Sequence, residues 1–315
     1  MESSALMFWE TFLARSVLLM QVFWGQLRLF APWWLAGITA GAMVAQLVPL
    51  ARWPAHRWLN GPLGGIVGAL LGILSPLPLF GAIGVVASLA AAGVSAVPLV
   101  AFLFASPLLN PNQFVFTGLS LGWDWALARA TGALILGASG GLLTLLFSAR
   151  GESCGWLRIE MVSTVSPSPD WAAAEIPSAR GFLRKTVAEA WRVLGFSWRH
   201  FLLALILSAW VVAFLPRAWV MAGFGQGQWW GVPAAVLFGV PGYFCGGGAV
   251  PLVHGLLAQG MSQGAALAFF LGGSATTMRN LAALGVITGR RGLAFFLVLT
   301  QGGAIVLGLL FDLIG

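Results

Sequence analysis

The chain has 315 residues, of which 59% are hydrophobic and only 8% are Asp, Glu, Lys or Arg. Soluble domains carry about 25% charged residues, so a water-soluble globule is excluded and a lipid bilayer is the expected partner. The net charge of +7 is not gathered into a dense basic tract, which speaks against nucleic acid as a partner.

Residues 1–30 form an N-terminal amphipathic or membrane segment, with Glu10, Arg15, Gln21, Gln26 and Arg28 set among apolar residues. No charge then occurs between Arg57 and Asp124. A bilayer-crossing helix needs roughly 20 mostly apolar residues, so this gap holds several crossings or part-crossings. The pattern predicts a helix over 31–50, a break at Pro49–Pro54, and a helix over 62–75. A bend follows at Ser75–Gly81, where Pro76 and Pro78 interrupt any helix. Two short apolar pieces, 83–92 and 96–106, meet at Ala92-Gly93-Val94-Ser95, and a last full helix covers 125–148. Asp124, at its start, reads as an N-terminal cap rather than a proton carrier.

Seven of the 16 basic residues then cluster at Arg150, Arg158, Arg180, Arg184, Lys185, Arg192 and Arg199. The positive-inside rule makes 150–199 a cytoplasmic linker. Within it, 163–170 is rich in Ser and Pro. Over 181–199, Leu183, Val187, Trp191, Leu194 and Trp198 oppose Lys185, Glu189, Arg192 and Arg199, as expected of a helix lying in the interface. Residues 200–216 predict the next crossing. Pro216 breaks it, a helix covers 230–241, and a glycine-rich bend follows. Short pieces over 249–259 and 262–274 meet at Gln259-Gly260-Met261-Ser262, and 292–312 forms the last helix.

The two series are the same series. At a constant offset of 167 residues, Pro49 pairs with Pro216, Gly64 with Gly231, Gly72 with Gly239, Gly81 with Gly248, Gly93 with Gly260, Ser95 with Ser262, Gly118 with Gly285 and Gly122 with Gly289. Pairs of glycine and proline weigh more than pairs of leucine, because they shape local backbone. The expected fold is an all-α polytopic membrane protein. It has two related halves, 31–149 and 200–315, each containing short broken or re-entrant helices. Each short piece spans about half of the hydrocarbon core. Whether the pieces form a hairpin or one kinked helix is left open at this point, and so is whether the halves are parallel or inverted.

Non-helical backbone at membrane depth must be shielded by protein or line a wet cavity, and paired broken segments point to a transport site. The candidate pathway residues follow from that. Gly81 marks the first bend. Tyr243, Cys245, Gly246 and Gly247 mark the second, where unwound backbone and a soft thiol could face a solute. Asn110, Thr276 and Asn280 gather where helices start, and free N–H groups with a positive dipole end suit polar or anionic solutes there. Arg279 ends an uncharged run and would attract an anion or anchor at the interface. His254, on a short apolar piece, could relay a proton or simply pack. No phosphate-binding loop and no His-Glu-x-x-His pair occurs, so neither an enzyme nor a cofactor is implied.

Several pieces resemble the bacterial permease family that contains the YraQ-type permeases and the ArsP organoarsenical efflux permeases. They are Pro251-Leu252-Val253, Gly260-Met261-Ser262-Gln263-Gly264-Ala265, Ala275-Thr276, Ser75-Pro76, Gly93-Val94-Ser95 and Ser106-Pro107-Leu108-Leu109-Asn110-Pro111. The resemblance covers roughly 30–148 and 200–312. It implies a multi-pass permease of the bacterial plasma membrane that exports a small solute, metalloid- or anion-related. Relatives carry a Cys-Ser-Cys-Gly turn where this chain has Pro78-Leu79-Phe80-Gly81, so within the apolar core only Cys245 offers a thiol. The competing reading is a non-transporting membrane subunit of a larger complex.

Overall fold

The computed structural model describes residues 2–47, 61–75, 82–83, 85–86, 89–90, 94–149, 179–239 and 248–314. The regular elements among them are helices. The first half holds α1 (Glu2–Leu47), α2 (Pro62–Leu74), α3 (Ala96–Ala105), α4 (Pro111–Leu121) and α5 (Trp123–Ala149). The second holds α6 (Ala179–Phe214), α7 (Arg217–Phe224), α8 (Gly231–Gly239), α9 (Ala249–Ala258), α10 (Gln263–Ala275) and α11 (Met278–Ile314). Trp123–Leu146, Ser197–Phe214 and Thr288–Ile314 are each long and apolar enough to cross a bilayer. In contrast α3 and α9 have 10 residues each, half of what a crossing needs. The protein is an all-α polytopic membrane protein that combines full spans with broken ones.

The same local chemistry shapes both halves. Ser95 and Ser262 precede α3 and α10 in the same extended conformation, with ψ 157° and 154°. Gly122 and Gly289 both take positive φ, 109° and 62°, which a side chain would resist. Each follows a short helix and reverses the chain into a long one. Gly289 thereby divides α11 into a section over 278–288, matching α4, and a span over 290–314, matching α5.

The halves run in opposite directions, which settles what the sequence left open. α1 and α6 lead them and pack antiparallel: Phe12 meets Phe214, Gln26 meets Ser208, and Trp34 stacks on Phe201 with ring centroids 4.3 Å apart. The amphipathic stretch 181–199 is not a separate helix. It continues into the crossing segment as one helix of 36 residues, about 54 Å long, because no proline or glycine pair interrupts the backbone between Trp198 and Phe214. Likewise α1 absorbs the N-terminal segment in a single helix of 46 residues.

α9 and α10 form a hairpin whose turn contains Gly260 at φ 100°. The turn lies level with the end of α11. Asp312 Oδ2 accepts from Ser262 Oγ at 2.8 Å and Oδ1 accepts from the backbone N–H of Gly264 at 2.6 Å, while the Ser262 N–H donates to the Phe224 carbonyl. The hairpin turn therefore sits at the end of a long span, and the breaks at mid-span lie at the opposite ends of α3 and α10. A carboxylate at a helix start satisfies orphan donors and complements the dipole. Asp312→Ala should lower stability by about 1–2 kcal/mol, read as an earlier thermal unfolding transition in detergent, with Asp312→Asn losing less.

α10 is buried from Gly264 to Ala275, enclosed by α8, α11 and α5. It gets this close through glycine: a Cβ on Gly264 would collide with the Gly308 carbonyl oxygen of α11. α3 is held the same way by α2 and α5, with Gly68 of α2 lying over the Pro98 carbonyl.

Candidate functional site

Two helix breaks meet at the centre. α3 ends at Ala105 and α4 begins at Pro111, while α10 ends at Ala275 and α11 begins at Met278. Each break lies beside the middle of a long span. Ala105 packs on Gly137 of α5, and the Gly272 carbonyl accepts from Gln301 Nε2 of α11. The breaks touch each other. Ser274 Oγ, whose shortest bond goes to the Phe270 carbonyl of its own helix at 2.7 Å, also lies 3.2 Å from the Leu108 carbonyl of the other half.

Polar side chains near the breaks serve the backbone groups that the breaks release. Asn110 caps α4, its Oδ1 accepting from the Gln113 N–H at 2.8 Å. At the matching position Thr277 Oγ1 lies 3.4 Å from the Asn280 N–H. Asn280 Nδ2 donates to the Ser274 carbonyl at 3.2 Å, and Thr276 Oγ1 donates to the Gly272 carbonyl at 2.8 Å. The structure thus brings Asn110, Thr276 and Asn280 together around the junction. Ser106, 5% exposed, adds a buried hydroxyl with no hydrogen-bond partner.

The residue that sequence reading missed is Arg129. It is 1% exposed, on α5. Its Nη2 donates to Gln113 Oε1 at 2.8 Å and reaches toward the Leu108 carbonyl at 3.5 Å, and its Nη1 donates to Thr117 Oγ1 at 3.2 Å. The guanidinium carbon stands 4.8 Å from the centroid of the Phe270 ring on α10. One cation therefore touches both halves: the α3–α4 break through the Leu108 carbonyl and α10 through the ring face. Thr117 Oγ1 in turn donates to the Gln113 carbonyl at 2.7 Å. A guanidinium cannot shed its proton, so the charge stays in the interior. The signal was available, since Arg129 is the single charged residue between Asp124 and Arg150. Intramembrane charge is a functional pointer by default. Asp124 drew attention away from it, but five residues place the two about 140° apart on a helix. Asp124 is exposed in the first turn of α5, whereas Arg129 faces inward.

His254 stands elsewhere, with its ring edge-on to Phe30 of α1. Arg279 is the second residue of α11, and its side chain lies outside the described set. Gly81, Tyr243, Cys245, Gly246 and Gly247 also lie outside the described residues.

Full spans around discontinuous helices that meet at mid-depth make up the architecture of membrane carriers. The comparison with known families agrees. The chain belongs to the ArsP-type family described as predicted permease, whose model matches residues 19–313. Over 92 residues it is 32% identical to the UPF0718 protein YraQ of Escherichia coli (strain K12), a stretch covering 29% of this chain and 27% of that protein. The match thus spans little more than a quarter of that relative. No solved structure matches the chain.

Proposed function

We propose that the protein is a secondary permease that moves a small polar or anionic solute through the seam between the two helix breaks. The observation that carries this is the approach of Ser274 Oγ to the Leu108 carbonyl, which sets the α3–α4 break against the α10–α11 break beside mid-span. The helix starts of α4 and α11 direct their positive dipole ends toward this junction, and Arg129 adds a full positive charge. Such a field favours an anion or an electron-rich oxyacid over a cation. Two oppositely directed halves supply the geometry for alternating access, in which one half rocks against the other.

Orientation follows from charge. α11 runs antiparallel to α5, with Trp125 near Phe311 and Leu136 against Gly303. Arg290 and Arg291 therefore share an end with the C-terminus of α5 and with Arg184, Lys185, Arg192 and Arg199 of α6. By the positive-inside rule that end is cytoplasmic, in keeping with a bacterial plasma membrane. The resemblance to efflux permeases makes outward movement the first direction to test. Thiol recognition rests on Cys245 alone; Cys245→Ser should leave transport of an oxyanion intact and abolish transport of a trivalent organoarsenical.

A second reading, a non-transporting subunit, draws on the tight packing at the junction, where Thr276 and Leu271 are fully buried. One experiment separates the two. In a background lacking Cys154 and Cys245, cysteine is placed at Ser274 or Thr276 in vesicle-reconstituted protein. A carrier that opens exposes these positions to a membrane-impermeant maleimide from each side in turn. The wild-type carrier, with Cys245 in place, also gives flux for at least one member of a panel of phosphate, arsenite, methylarsenite and small carboxylates. Folded protein that stays unlabelled and gives no flux for any of them would establish the subunit reading.

A further inference from the structure

Away from the break junction, the seam between α1, α6 and α9 holds a second polar cluster. Gln26 of α1 is 7% exposed, and its Nε2 donates to Ser208 Oγ of α6 at 2.9 Å. Ser208, fully buried, donates in turn to the Pro251 carbonyl of α9 at 2.7 Å. A hydroxyl has one proton. Because that proton goes to Pro251, the amide must present its N–H₂ to Ser208, and Gln26 Oε1 then points away. That oxygen is buried without a hydrogen-bond partner.

One turn further along both helices the same seam repeats the situation. His254 lies three residues beyond Pro251 on α9, and Phe30 lies four residues beyond Gln26 on α1. Their rings meet edge to face with centroids 5.3 Å apart. His254 Nδ1 is buried and likewise has no hydrogen-bond partner. Two unsatisfied polar atoms on one seam are each unfavourable, because burial strips them of water without a replacement partner. A single water between them would satisfy both, its two hydrogens serving the Gln26 carbonyl oxygen and a neutral imidazole nitrogen. When Nδ1 takes a proton it becomes a donor, and the same oxygen accepts from it, directly or through that water.

We propose that Gln26, Ser208 and His254 form a proton-binding site in the α1–α6–α9 seam, distinct from the break junction, with His254 as the group that takes the proton. The seam contains little else that could. α4 and α10, the other elements against α9, carry no Asp, Glu, Lys, Arg or His. On α6 the charged or titratable residues Arg180, Arg184, Lys185, Glu189, Arg192, Arg199 and His200 all precede Ser208 by two turns or more. On α1, Arg28 turns to the outer groove with Gln21 and Trp24, and Glu10 and Arg15 lie toward the N-terminus. At the positions related by the 167-residue offset stand Val193 for Gln26 and Gly41 for Ser208, so the site has no duplicate elsewhere in the repeat. Its use in driving transport rests on the permease reading above; its existence as a proton site does not.

The test is the titration of His254 in full-length protein labelled with ¹⁵N-histidine in lipid nanodiscs. There are three histidines, and His254→Gln assigns the signal. The ¹⁵N shifts of His254 should change reversibly between pH 4 and 8. Gln26→Leu, which removes the acceptor, should move the midpoint down by about one pH unit. Should that variant not fold, the isosteric Gln26→Glu decides with the opposite sign, moving the midpoint up. A His254 signal that never changes across this range overturns the proposal. So does a midpoint indifferent to both substitutions. Because no solute is involved, failure of the permease reading and failure of this one remain separate results.

Discussion

Gln113→Leu should destabilise the folded protein by about 2–4 kcal/mol, and adding Arg129→Met should restore part of the loss. Gln113 Oε1 accepts from the Arg129 guanidinium at 2.8 Å, and both residues are buried. Hydrogen bonds to a charged group contribute about 1.5–3 kcal/mol, and removing one end leaves the charge to bear its desolvation with fewer partners. Removing the cation as well removes the debt. The single Arg129→Met should therefore cost less stability than Gln113→Leu, although it should cost more function, because the positive charge at the junction goes with it. Arg129→Lys keeps the charge and loses the fork that reaches Gln113 and Thr117 at once. Thermal unfolding of the two singles and the double in one detergent closes the cycle. A double mutant as unstable as the sum of its parts would mean that the two side chains act independently.

The second large effect is steric. Gly264→Val should prevent accumulation of folded protein, and Gly264→Ala should lower stability by about 3 kcal/mol. The atom in the way is a backbone oxygen, that of Gly308, with the Asp312 carboxylate beside it. α10 cannot step back, because it is enclosed on its other sides by α5 and α8, so the added group forces α11 away from it. Gly302→Ala is the matched control, since nothing lies within 4 Å of its added Cβ. It should leave both the yield and the transition temperature unchanged within error. Size-exclusion yield and fluorescence-detected unfolding distinguish the two outcomes.

How much of this was legible in the sequence can be judged residue by residue. The membrane class follows from scarce charge, and helix starts near Pro111 and Arg279 follow from the polar residues gathered before them, close to the observed starts of α4 at Pro111 and α11 at Met278, because capping and proline chemistry are local. The reversals at Gly122 and Gly289 were visible only as a glycine pair at matching positions; their positive φ is a property of the fold. The continuity of α6 through Phe201 was not legible, because an amphipathic stretch beside an apolar one gives no signal of whether the backbone turns between them. Nor was the direction of the second half, which is fixed by contacts such as Trp34 with Phe201 between distant parts of the chain. At the junction, the sequence pointed to Asn110, Thr276 and Asn280 through their place at helix starts. It showed Arg129 only as a lone charge in an apolar helix, because its partners Gln113 and Thr117 reach it only after Gly122 folds α4 back along α5.

The antiparallel embrace of α1 and α6 has a consequence for biosynthesis. α1 leaves the ribosome well before α6, yet the rings it packs on, Phe201 and Phe214, are synthesised only after the whole first half. Until then Phe30, Trp34 and Ile38, all sealed in the finished molecule, must dwell in lipid or against an insertion chaperone. A nascent chain released before residue 214 would leave that flank uncovered, a mark by which membrane quality control can tell an unfinished copy from a complete one.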